Sequence, residues 1–145
     1  GDATSCGTTD GVTAAGIITE DLDAYEVNAS ITLETDCFPS GFTTYNDWVT
    51  LGKPDCWCAA YQCDGDADGA TEGALKYRVY QADLTLLIAN WKKKIADVTL
   101  NPCADFDHKP EGALRYRVYQ ADLTKLISNW KKKDTALAGD CPRTE

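Results

Sequence analysis

The sequence predicts a mainly helical body with a small β component, stapled by disulfides and preceded by an extended arm bearing a β-strand. Three observations carry that expectation. A 29-residue stretch occurs twice, cysteines are dense, and the apolar pattern changes from period two to helical spacing along the chain. The repeated stretch reads DADGATEGALKYRVYQADLTLLIANWKKK from Asp66 and DFDHKPEGALRYRVYQADLTKLISNWKKK from Asp105, with 22 of 29 positions identical. Such self-similarity means two copies of one supersecondary unit, each needing the other to cover its apolar face, and hence a pseudo-twofold pair.

The arm comes first, over residues 1–36. Residues 1–11 are small and polar, and residues 12–19 form a short apolar stretch. Residues 25–33 then alternate, with Tyr25, Val27, Ala29, Ile31 and Leu33 on one side. Period two with β-branched residues predicts a half-buried strand. Its apolar side must rest on the body of the same chain or, by strand addition, on a neighbouring molecule. Asn28-Ala29-Ser30 is an N-glycosylation sequon on the polar side of that strand.

The body spans residues 37–145, with the repeats at 64–94 and 103–133. Residues 37–53 read as a connector punctuated by Pro39, Gly41 and Gly52, with Tyr45 and Trp48 packing on the domain. Each repeat opens with acidic residues at alternate positions, Asp64, Asp66 and Asp68 in the first, Asp105 and Asp107 in the second. The inserts KYRVYQ and RYRVYQ alternate aromatic and charged residues, which predicts two short strands lying side by side as a small ladder. Their tyrosines suit core packing or a sugar-binding platform. Leu84, Leu87, Ile88 and Trp91, matched by Leu123, Leu126, Ile127 and Trp130, then form the i, i+3, i+4, i+7 stripe of a half-buried helix. Each helix is expected to end in its three lysines, 92–94 and 131–133, facing the negative end of the macrodipole.

Seven cysteines in 145 residues indicate an oxidising compartment. Cys37, Cys56, Cys58, Cys63, Cys103 and Cys141 suffice for three bridges, and six cysteines allow fifteen pairings. Cys6 is left over, as a free thiol, as an intermolecular partner, or in a pairing that leaves a different cysteine alone. A zinc site fits worse, because Cys56-Trp57-Cys58 has one intervening residue and no second pair completes a tetrahedron. With no methionine anywhere, Gly1 is expected to begin a mature, secreted product whose signal peptide has gone. A formal charge of −9, from 23 acidic and 14 basic residues, disfavours nucleic acid and anionic membranes. No run approaches the roughly 20 apolar residues of a membrane span. No catalytic constellation stands out: the single histidine, His108, has no nucleophile motif around it.

Acidic clusters suit divalent cations instead. Asp83 and Asp122 fall just where a helix begins, and a carboxylate there can interact with free amides. An Asp-x-Asp loop leading into such a helix is also how a calcium loop is built, since hard Ca²⁺ takes six to eight oxygens. Two calcium sites are expected. Asp64-Gly-Asp66-Ala-Asp68-Gly69 followed by Asp83-Leu84-Thr85-Leu86-Leu87 resembles the dockerin family of paired, EF-hand-like calcium loop–helix units. The inserts, residues 70–77 and 109–116, lengthen the usual loop. The resemblance implies ligands among Asp66, Asp68 and Asp83, and among Asp105, Asp107 and Asp122. Asp64 has no acidic counterpart, because Cys103 takes that place, and Glu72 and Glu111 can add an oxygen. His108 in place of Gly69 is expected to strain the second turn and lower its affinity. The cysteines around the repeats resemble those of cysteine-rich modules at the carboxy-termini of bacterial extracellular proteins. Dockerins attach secreted proteins to cohesins, yet this chain carries an arm and a spare cysteine rather than cargo. The expectation is a non-catalytic structural subunit that assembles head to tail with copies of itself through the arm. The alternative is an adaptor that binds a cohesin-like partner.

Overall fold

A computed structural model of the chain describes residues 36–142. The chain divides into two units, Gly1–Thr35 and Asp36–Glu145. The strand expected at 25–33, Cys6 and Asn28 lie outside the described residues.

The body is helical, and its longest elements come from the repeats. Helix α1 is Tyr45–Thr50, α2 is Gln81–Asn90 and α3 is Gln120–Ser128, with single 3₁₀ turns at Asp55–Cys58, Gln62–Asp64, Pro102–Ala104 and Asp134–Ala136. Residues 37–53, expected to be only a connector, contain α1, a helix too short to announce itself by periodicity. Three disulfides join Cys37 to Cys58, Cys56 to Cys103 and Cys63 to Cys141. They use all six of the cysteines expected to bridge.

The expected ladder between the inserts is absent. Among the described residues there are no strands, only isolated bridges between Glu72 and Tyr77 and between Glu111 and Tyr116. Each insert closes on itself because Gly73 and Lys76, like Gly112 and Arg115, take positive φ and reverse the chain. The two residues that follow bond to the other copy. Arg78 N donates to Lys132 O at 2.8 Å and Lys131 N to Val79 O at 2.9 Å. Reciprocally, Arg117 N donates to Lys93 O at 2.7 Å and Lys92 N to Val118 O at 2.8 Å. The lysines therefore do not end the helices as expected. The helices stop at Asn90 and Ser128, and Lys92 and Lys131 adopt positive φ in the segments that cross to the other copy. Tyr80 packs on Trp130 and Tyr119 on Trp91, each with ring centroids 5.2 Å apart. These aromatics are spent on packing between copies.

The main core gathers Ala67, Val79, Leu87, Ala104, Phe106, Val118 and Leu126. Gly65, at φ 115°, is where the first acidic loop crosses α3: a Cβ there would meet Leu126 Cα at 3.2 Å. A second, aromatic core holds Phe38, Trp48 and Trp57, with Phe42, Tyr45 and Leu51 against it. Trp48 Nε1 donates to Pro54 O and Trp57 Nε1 to Pro102 O, so both buried indoles are satisfied.

The helical stripe is rotated from its expected position. Leu87 and Leu126 are buried, but Ile88 and Ile127 are 63 and 62 % exposed. Asp83 and Asn90 complete the buried face of α2. The Asn90 side chain accepts from Asn101 N at 2.7 Å, and Asn129 Nδ2 donates to Asp64 O at 2.7 Å, so each helix end grips the chain entering the other copy's loop. Leu87→Ala should therefore cost about 3 kcal/mol of stability. Ile88→Ala should stay within about 0.5 kcal/mol. Urea denaturation of the two variants checks the rotation.

Candidate metal centre

Each acidic loop follows a 3₁₀ turn and is drawn back onto the helix that succeeds it. The helix-start aspartate does this. Asp83 Oδ2 accepts from Tyr80 N at 2.8 Å, capping α2, while its Oδ1 accepts from Ala67 N at 2.7 Å. Asp122 repeats the pattern: Oδ2 takes Tyr119 N at 2.8 Å and Oδ1 takes Phe106 N at 2.6 Å. One carboxylate thus satisfies a free helix amide and a loop amide at once.

That grip brings three carboxylates together in each copy. One oxygen from each of Asp66, Asp68 and Asp83 lies within 4.8 Å of the others, and the same holds for Asp105, Asp107 and Asp122. These are the ligand sets expected for the two sites. Asp64, Glu72 and Glu111 are not drawn into these groups. Asp64 is buried and its Oδ2 accepts from Gly139 N. Glu72 Oε1 accepts from Ala82 N and Glu111 Oε1 from Ala121 N, each at 2.9 Å, in the first turn of α2 and α3.

Burial opposes charge in both clusters. It raises Asp66 to about 7 and Asp83 to about 6, with repulsion from neighbouring aspartates adding to the first. It raises Asp122 to about 7, helped by Asp107, and lifts Asp105 well above the usual range despite the attraction of Arg117. In the second cluster one oxygen stands apart. Asp105 is wholly buried; its Oδ2 accepts from Arg117 Nε at 2.7 Å, and its Oδ1 has no hydrogen-bond partner. A buried carboxylate oxygen without a donor is costly, and a cation bound there would satisfy it.

The donor set decides the class of ion. Carboxylate oxygens alone suit a hard divalent cation such as magnesium, calcium or manganese. Every described cysteine is bridged, and His108 is turned away from coordination. His108 stacks on Trp57 with ring centroids 4.1 Å apart, and its Nε2 meets Gln62 Oε1 at 2.7 Å. Gln62 Nε2 already faces the carbonyls of Cys103 and Asp105, so the imidazole donates from Nε2. Burial, then Arg117, Lys125 and Lys109, push its pKa down to about 3, so it is neutral.

Two residues beside the clusters went unread in the sequence. Arg78 binds Asp134 at 2.7 Å, Gly69 O at 3.0 Å and Asp66 at 3.3 Å. Arg117, buried, binds Asp105 and Asp47 at 2.7 Å each and His108 O at 2.9 Å. Their signal was a cation retained at the same place in both inserts. No family model, curated protein or solved structure matches the chain.

The raised carboxylates set a pH dependence for the metal-free protein. Their folded values lie above the unfolded value of about 3.9, so the folded state binds protons more tightly. That contribution is complete below about pH 4 and is lost as pH climbs through about 6 to 7. Metal-free protein should therefore melt at a lower temperature at about pH 7.5 than at about pH 5. Scanning calorimetry at the two pH values checks the sign.

Proposed function

We propose that this chain is a non-catalytic, calcium-binding structural module of an extracellular assembly, built as a dockerin-like, pseudo-twofold pair of loop–helix units. The observation that carries the proposal is the buried, unpartnered Oδ1 of Asp105 within a cluster of three carboxylates, beside a second cluster of the same composition. Asp105, Asp107 and Asp122 would hold one ion, and Asp66, Asp68 and Asp83 the other. A bound ion would hold these aspartates ionised and join each loop to its helix.

The disulfides support an oxidising, extracellular setting. No described helix is long and apolar enough to cross a membrane. Copies of the chain would join head to tail, with the arm of one on the body of the next. One observation favours a second reading, an adaptor for a cohesin-like partner. An apolar pocket of about 390 Å³ is lined by Leu84 of α2, by Leu123, Leu126 and Ile127 of α3, and by Trp130.

Asp68→Ala with Asp107→Ala tests the calcium sites without touching the helix caps. Wild-type protein should gain about 2.7 kcal/mol per site at a hundredfold excess of calcium over Kd. The double variant should keep its metal-free melting temperature and lose most of that gain. A wild-type melting curve indifferent to calcium removes the proposal. Analytical ultracentrifugation of the purified chain in calcium separates the two roles. Polymers support the structural subunit, and a monomer that captures a cohesin supports the adaptor.

A further inference from the structure

The second acidic loop is clamped by chain from outside the repeats. Cys103, two residues before Asp105, is bonded to Cys56. In the same turn as Cys56, Trp57 donates to Pro102 O at 2.8 Å and stacks on His108. Gln62 Nε2 donates to Cys103 O at 3.0 Å and to Asp105 O at 2.8 Å. From α1, Asp47 holds the far side of Arg117, whose near side holds Asp105. Backbone and side chains of residues 102–108 are thus fixed before any ion arrives, with Asp105 Oδ1 left over.

We infer that the Cys56–Cys103 disulfide is the positioning device of this cation site, so that the second loop's affinity for calcium depends on that one bridge. The inference rests on the calcium reading above. A site whose oxygens are already gathered binds without first ordering the chain, and a site that must be ordered is weaker by that cost. Opening the bridge releases the loop where it enters, and the helix-start Asp122 then grips a segment free at its other end. The Cys56–Cys103 bridge does not enter the first loop, which this clamp meets only through Gln62 in the turn before it. The first loop's own brace is the tail, through Cys63–Cys141, Arg78 to Asp134, and Gly139 to Asp64. The effect is therefore confined to one loop.

The test uses Asp68→Ala as background, leaving the second site to be titrated alone with calcium by calorimetry. Adding Cys56→Ser and Cys103→Ser should weaken calcium binding at least about tenfold, the scale of losing an outer support of a metal site. Adding Cys63→Ser and Cys141→Ser instead should leave the affinity within about twofold, since that bridge braces the other loop. Unchanged affinity without Cys56–Cys103 overturns the inference and leaves the calcium reading standing. An equal loss with either pair also overturns it, because general loosening then explains the result. A background protein that binds no calcium removes both ideas together. If circular dichroism shows the bridge variant unfolded, Asp47→Ala decides. It frees Arg117 from α1 with every disulfide intact, and it should weaken binding in the same direction. An unchanged affinity there overturns the inference.

Discussion

The whole body hangs on one side chain used twice. Asp83 and Asp122 are completely buried carboxylates, and each holds a helix amide with one oxygen and a loop amide with the other. Asparagine offers a single accepting oxygen, so it cannot do both. Through this grip the entry of the helix, the path of the loop and the charge of the cluster become one interaction. Desolvation is its cost, visible in the raised pKa values of both residues. A fold that tolerates such a cost twice has something to gain from two buried negative centres.

The copies share a template and differ where their surroundings differ. The first loop lies under the carboxy-terminal tail; the second lies under the aromatic core. Gly69, at φ 71°, becomes His108, at φ 58°, in the second copy. The strain expected of a non-glycine residue at positive φ is set against burial between Trp57 and Phe38 and a bond to Gln62. Ala67 becomes Phe106, and both are buried in the same core, so one copy supplies bulk where the other is small. The arginines follow the same logic. Arg78 reaches outward to half-exposed Asp134, and Arg117 is enclosed with Asp105 and Asp47. Identical repeats would have fitted only one of these two settings.

Much of the candidate site was legible because it depends on residue type and short spacing. The duplication, the alternate aspartates, the helix-start carboxylates and the six bridging cysteines all stand in the sequence. What it withheld was set by contacts distant along the chain. Disulfide partners lie 21, 47 and 78 residues apart, and nothing local chooses among pairings. Ile88 was placed in the buried stripe because periodicity ranks apolar residues inward. The helix instead turns Asp83 and Asn90 inward, since both have partners waiting in other segments. The inserts looked like strands because they alternate. Positive φ at Lys76 and Arg115 reverses each insert, and the two residues after Tyr77 and after Tyr116 bond across copies with the lysine segments. Arg78 and Arg117 enter the sequence reading only as charged members of an alternating pattern, although each stands at the same place in its copy.

The arginines also bear on whether the clusters close without an ion. Each divides its charge between one cluster carboxylate and one outside, Asp134 or Asp47, so neither neutralises three aspartates. The balance falls to protons or to a metal. Protons serve only while pH stays below the raised pKa values, and they bind one oxygen at a time. In the proposed loaded form a single ion would bind residues 66, 68 and 83 together, or 105, 107 and 122, and so cross-link loop to helix. The disulfides tie the same loops at their entrances, at Cys63 and Cys103. Each loop would then be fastened at both ends, covalently where it begins and ionically where its helix starts. Fastening of that kind limits local opening of an exposed segment.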